Sequence, residues 1–356
     1  MIVEFNSDLF VSEDVNIQSK TSKIILEISE DKFLWDIDNL DKLFLSDGVN
    51  NFKMPFNGKW ISIGDKEKLL NKVEEIYAIS AYITSEHHHY LTTIKIGINN
   101  DEIHPIDAYR IINERSIVII ENYPNDWKFI KSIIDKYEFF GQRKSIYQLI
   151  KKALSNEYLT YDHAGGSGIK KQIQGWKEGI YKDIHKYKII AIFDSDKNKP
   201  TDFKSEYKSL IEYIKGRSID TPPGKNDIVY EHEDIIVWHM LYKRAIENYV
   251  PLNVIKTTLT NLNDSQKHNL AQLENTPEIV DFIIYSNPEG YPKDYYINIG
   301  KNKVKEQFPE MFLTNFSPSQ LEDRCSHHKV SIELPNGTRE QVSEIEEILL
   351  KIAKII

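Results

Sequence analysis

Two five-residue stretches, Ser116–Ile120 (SIVII) and Ile189–Phe193 (IIAIF), are almost entirely apolar. Strands covered on both faces of a parallel sheet read in this continuous way. Apolar residues at helical spacing follow the first run, with Phe129, Ile130, Ile133 and Ile134 forming one face of a helix over 126–137. The same spacing predicts helices over 146–154, 169–184 and 202–215. A short strand over 158–161 leads into glycines 165, 166 and 168. Residues 216–225 (GRSIDTPPGK) read as a turn-rich loop, and residues 237–249 mix strand and helix signals. Strands alternating with helices predict an α/β fold, a mainly parallel sheet with helices on both faces.

Residues 1–110 read as a smaller α+β region. Strands are predicted at 23–28 (KIILEI) and 59–63 (KWISI), and a helix over 66–82 with Leu69, Leu70, Val73, Ile76 and Tyr77 in a stripe. Residues 89–98 return to alternation. Histidines 87, 88 and 89 would point to alternate faces of such a strand, so they do not make one metal site. The 356-residue length fits about two units, here 1–110 and 111–356, the second ending in a helical extension.

Composition narrows the classes. The apolar runs fall far short of the ~20 residues a membrane helix needs, and the first ten residues lack a signal-peptide pattern. Cys325 is the single cysteine, which excludes an intrachain disulfide and fits a reducing cytoplasm. The pair His327 and His328 beside it lacks the second cysteine that a common zinc motif would supply. A net charge of −9 argues against a simple nucleic-acid coat protein. Between residues 128 and 188, however, 13 Lys and Arg face 6 Asp and Glu, a local net of +7.

The chemistry-bearing residues are carboxylates at predicted strand ends. Glu121 directly follows the first apolar run, and Asp194 and Asp196 directly follow the second. Open α/β sheets place their sites at the C-terminal ends of strands. Two acids one residue apart can both turn toward a hard divalent cation, which demands several oxygens. Asp126 stands at the start of the next helix, either as its cap or as a further ligand. Glycines 165 and 166, between strand and helix, let backbone approach an anion, with Lys170 and Lys171 just beyond.

Taken together, Glu121, Gly165–Gly166 and Asp194/Asp196 resemble the TOPRIM domain of topoisomerases, primases and OLD-like nucleases, over about residues 115–307. The match is nearest to OLD-like and phage-defence nucleases, because LYKRAIENYV (241–250) resembles their basic pair followed by Glu-Asn-Tyr. The resemblance implies that Glu247 serves a second metal ion. It also implies that NIGKNKVKEQ (298–307) carries a catalytic lysine, Lys301 with Lys303 as the alternative. Lys197 and Arg244 would join Lys170 and Lys171 in holding phosphate. One departure stands out: the family reads Glu-Gly-x-x-Asp, whereas here Asn125 takes the acid's place and Asp126 comes one residue late.

The expected activity is that of a nuclease using Mg²⁺, with Mn²⁺ as a substitute, because every proposed ligand is oxygen. Two ions about 3.5–4 Å apart can activate water and neutralise a phosphoryl group. From the resemblance come a role in phage or plasmid defence and a separate ATPase partner. DNA and RNA, tRNA included, both remain open as substrates, as does the oligomeric state. The competing expectation is a non-catalytic module that binds nucleic acid or a partner through a relict metal site.

Overall fold

The computed structural model describes residues 1–28, 33–46, 49–52, 67, 71, 73–78, 80–81, 88–165, 168–258, 263–273, 280–283, 310–311, 314–334 and 337–356. The strands among them are β1 (Ile2–Phe5), β2 (Leu34–Trp35), β3 (Leu45–Ser46), β4 (Val49–Phe52), β5 (Thr93–Ile96), β6 (Ser116–Ile120), β7 (Leu159–His163), β8 (Ile189–Phe193), β9 (Val237–Met240), β10 (Lys329–Glu333) and β11 (Arg339–Ser343).

The central sheet has the order β7-β6-β8-β9, and every pairing in it is parallel. Each residue of β6, β8 and β9 is buried, the outcome expected for strands covered on both sides. Helices do lie on both faces. Val118, Ile120, Ile190, Ile192 and Val237 pack with helices Asn125–Tyr137, Lys144–Ser155 and Glu344–Ala353. Ile117, Ile119, Ala191, Phe193 and Trp238 pack on the other face with helices Ile169–Glu178 and Ser205–Lys215. Gly216 ends the last of these helices in a left-handed conformation, φ 63°. The chain moves from β6 outward to β7, then returns past β6 to β8. The β6/β8 boundary is therefore where the winding direction reverses, the crevice in which open α/β sheets bind ligands.

The N-terminal part differs from expectation. β1 pairs in parallel with both β2 and β5, and the helix Val15–Ile28 connects β1 to β2. Residues 23–28, expected as a strand, are the end of that helix, with Ile24, Ile25 and Ile28 buried along one side. His88–Tyr90 forms a 3₁₀ turn rather than strand. Residues 59–63 lie outside the described set, whereas 73–78 are helical as expected. The core of this part is continuous with one face of the central sheet: Val3, Phe5, Ile24, Trp35 and Ile94 belong to the same cluster as Ile119 and Phe193. The expected C-terminal helical extension contains the antiparallel hairpin β10–β11 between helices Pro318–Arg324 and Glu344–Ala353.

Candidate metal and phosphate site

β6 delivers Glu121 and β8 delivers Asp194 to the same edge of the sheet, on neighbouring strands. Glu121 is only 8% exposed. Burial first, then the charges of Asp126 and Asp196, push its pKa up to about 8. The carboxyl of Asp194 is raised well above its ordinary value by lost hydration, then by Asp126, Glu121, Glu247 and Asp196 in turn. Five acids from four chain segments thus act on one another electrostatically. Like charges gathered in a poorly solvated place disfavour ionisation unless a cation joins them.

Asp196 takes φ 49°, a left-handed conformation that Asp tolerates better than most residues. That kink is held from outside the loop. Ser195 and Asp196 donate backbone N–H groups to the Arg244 carbonyl at 3.1 and 3.0 Å. The Arg244 guanidinium donates to the carbonyls of Asp196 (3.1 Å) and Lys197 (3.0 Å) and to the Asn198 side chain (2.7 Å). It also stands 3.6 Å from the Asp196 carboxylate. Buried Ser195 donates its hydroxyl to the Lys243 carbonyl at 2.8 Å. The basic pair of the LYKRAIENYV segment therefore clamps the Asp-x-Asp loop.

The rest of that segment divides its work. Asn248 is buried and donates to the Val280 and Ile283 carbonyls at 2.9 and 3.0 Å. Tyr249 is fully buried in the core. Glu247, in the 3₁₀ turn Ile246–Tyr249, adds its charge to Asp194. Lys243 has no exposed surface and donates to Asp281 at 2.6 Å; Arg324 reaches the same carboxylate at 2.7 Å.

Asp126 does not cap its helix, whose N-cap residue is Pro124. It sits buried in the first turn, accepting the Asn122 backbone N–H at 2.8 Å while facing Glu121 and Asp194 electrostatically. Tyr207, from helix Ser205–Lys215, was not foreseen. Its hydroxyl lies 3.3 Å from the Glu121 carboxylate and 3.2 Å from that of Asp196, so one group touches both acids. The sequence signal was a tyrosine on a buried stripe with Leu210, Ile211 and Ile214, where a hydroxyl needs a partner. Beside it is a cavity of about 290 Å³ lined by Glu121, Lys170, Asp196, Glu206, Tyr207 and Ser209.

The glycine loop runs alongside: the Ala164 backbone N–H donates to the Ile120 carbonyl at 2.9 Å, next to Glu121. Gly165 is exposed with φ 63°, a conformation suited to glycine. Gly166 lies outside the described residues, and so do Lys301 and Lys303. Lys170 points toward Ser209 (3.2 Å) on the cavity wall, and Lys171 is exposed. Lys197 is only 5% exposed, lies over the Tyr242 ring at 5.7 Å, and has its pKa lowered by burial.

The donor chemistry fits a hard divalent cation, being all oxygen, acidic and short of compensating positive charge. The side chains are not closed around a point: among the described residues, no three His, Cys, Asp or Glu side chains are grouped closely enough to hold an ion as they stand. Cys325 is buried and His328 stacks on Tyr242 at 3.3 Å, each occupied in packing. In comparisons with protein-family models, curated proteins and solved structures, the chain matches none.

Proposed function

We propose that this chain is a divalent-metal-dependent nuclease of TOPRIM type, hydrolysing phosphodiester bonds with Mg²⁺ or Mn²⁺. The observation that carries the proposal is geometric: Glu121 and Asp194 end neighbouring parallel strands at the β6/β8 switch point, and the Tyr207 hydroxyl lies 3.3 Å from Glu121 and 3.2 Å from Asp196, with Asp126 and Glu247 adding negative charge toward Asp194. Glu121, Asp194 and Asp196 are the acids that would hold the first ion, Asp126 completing its shell, with Glu247 serving a second. Bound there, the ions would supply charge neutralisation and an activated water. The chain's own contributions are separable. Arg244 fixes the Asp-x-Asp loop, and Tyr207 holds Glu121 and Asp196 in register. Lys170 on the cavity wall and exposed Lys171 offer positive charge to a phosphate. Lys301 would offset charge that grows on the phosphoryl group. The further proposals, from the resemblance, are cytoplasmic action against phage or plasmids, a DNA or RNA substrate such as tRNA, and a separate ATPase partner.

A second reading is a non-catalytic binding module with a relict site; the open arrangement of the acids favours it. A cleavage assay on plasmid DNA and tRNA, with Mg²⁺, Mn²⁺ or chelator, separates the two. Asp194→Asn and Asp196→Asn should abolish cleavage and weaken Mn²⁺ binding by calorimetry, with the fold preserved because Asn also tolerates the left-handed conformation of Asp196. Lys301→Ala should keep Mn²⁺ binding but slow cleavage about a hundredfold. Normal cutting by both Asp variants would remove the acids from the chemistry.

A further inference from the structure

The loop that follows Glu121 carries an aromatic group that metal binding does not use. Tyr123 is 53% exposed, among the larger apolar surfaces the described residues show to solvent. Its ring lies parallel to Tyr161, 4.9 Å between centroids with planes 6° apart. Trp127 packs on Tyr161 at 4.8 Å, and His163 stands 6.1 Å from Tyr123. The geometry has a simple origin. Tyr161 and His163 are two apart on β7 and share a face, while Tyr123 stands in the turn just before the helix Asn125–Tyr137 and Trp127 in that helix's first turn. A column of rings results, anchored in the core through Trp127 and Tyr161, with Tyr123 outermost.

The column's position selects its occupant. Tyr123 is two residues beyond Glu121, and β7 ends in the glycine loop that hydrogen-bonds beside Glu121 and leads to Lys170 and exposed Lys171. A flat π face exposed two residues from an acid proposed for phosphodiester chemistry is the kind of surface on which a base stacks. Bases within a duplex have both faces covered by their neighbours. Only an unpaired or extruded base offers a free face. Resting on the nuclease proposal for the class of polymer, we infer that Tyr123, backed by Tyr161 and Trp127, is a nucleobase-stacking subsite, and that the substrate is single-stranded where it crosses this edge of the sheet.

The test is fluorescence anisotropy with short labelled single strands of DNA and RNA, in chelator so that nothing is cut. A matching abasic strand serves as control. Tyr123 is at the surface, so its replacement leaves the core intact; circular dichroism verifies this. Tyr123→Ala should weaken binding of the base-bearing strand about tenfold, and Tyr123→Phe, which keeps the ring, should not. On the abasic strand Tyr123→Ala and the unmodified protein should bind alike. Equal affinity of Tyr123→Ala and the unmodified protein for the base-bearing strand overturns the inference, and so does an equal loss on the abasic strand. The two proposals fail separately. If no nucleic acid is cut but Tyr123→Ala still loses base-dependent binding, the hydrolytic proposal falls and the subsite stands. If cleavage depends on Asp194 while Tyr123→Ala binds normally, the subsite falls alone.

Discussion

Glu121→Gln keeps the size of the side chain and its capacity to accept from Tyr207, and deletes a buried charge. In the folded chain this carboxyl titrates at about 8, against 4.5 when unfolded, because of burial and the nearby Asp126 and Asp196. A folded pKa above the unfolded one means that the native state holds the proton more tightly. The associated stability is fully present below pH 4.5 and is lost as pH rises through about 8. At ~1.4 kcal/mol per pH unit, the loss by pH 7 has a ceiling of about 3 kcal/mol; sharing of protons among the acids reduces it to about 1–3 kcal/mol. The Gln variant escapes this loss. Its metal-free form should melt roughly 2–6 °C above the unmodified chain at pH 7, using ~2 °C per kcal/mol for a chain of this size. Thermal melts in chelator between pH 5 and 8 should show a small gap at the acid end that widens with pH. Added Mg²⁺ should stabilise the unmodified protein and leave the variant nearly unmoved. A variant that melts lower at pH 8, or a gap independent of pH, would refute the account of Glu121 as a strained, cation-seeking acid.

Arg244→Ala removes three side-chain hydrogen bonds to the 196–198 loop, so cleavage should fall about a hundredfold by misplacement of Asp196. Arg244→Lys should not restore it, since a lysine lacks the planar fork; faster amide exchange at residues 195–198 is the independent readout, and unchanged exchange would count against the clamp. Asp281→Ala strands Lys243 and Arg324 as buried cations, with an expected loss of about 3–5 kcal/mol in urea unfolding. An unaltered urea midpoint would show that the two cations find other partners.

The parts of the fold that could be read in advance were those determined by local pattern. β6 and β8 announce themselves as continuous apolar runs because both faces are covered, and their acids follow because strands of a parallel sheet end at one edge. KIILEI at 23–28 misled because a short apolar run fits strand and helix alike; the deciding helical turns lie before it, at Ile17 and Thr21. The local excess of +7 is not all displayed to solvent. Arg143 is buried against Glu340 and Glu346, Lys151 pairs with Asp135, and Lys188 is buried. Partners some two hundred positions away are invisible to a windowed charge count. Tyr207 is hidden because its partner Glu121 stands 86 positions away, just beyond β6. The C-terminal hairpin has a cue in the sequence pair Asn336-Gly337, of which Gly337 takes φ 77° between β10 and β11.

The C-terminal helix Glu344–Ala353 bears on how this molecule can be divided. All the acids proposed for chemistry precede residue 250, and the motif span closes near 307. Yet Ile345, Ile348, Leu349 and Ile352 share one core with Val118, Ile120 and Ile190, directly beneath the strands that carry those acids. Glu344 accepts from the Tyr242 backbone N–H at 2.6 Å and pairs with His239 at 3.0 Å, just upstream of the clamp. A fragment trimmed to the recognisable motifs would therefore bare one side of its own sheet and lose the support behind Arg244. The stretch of chain that holds the strand-end acids is shorter than the stretch that folds, so shuffling or grafting by motif boundaries alone would carry over the acids without the scaffold that aims them.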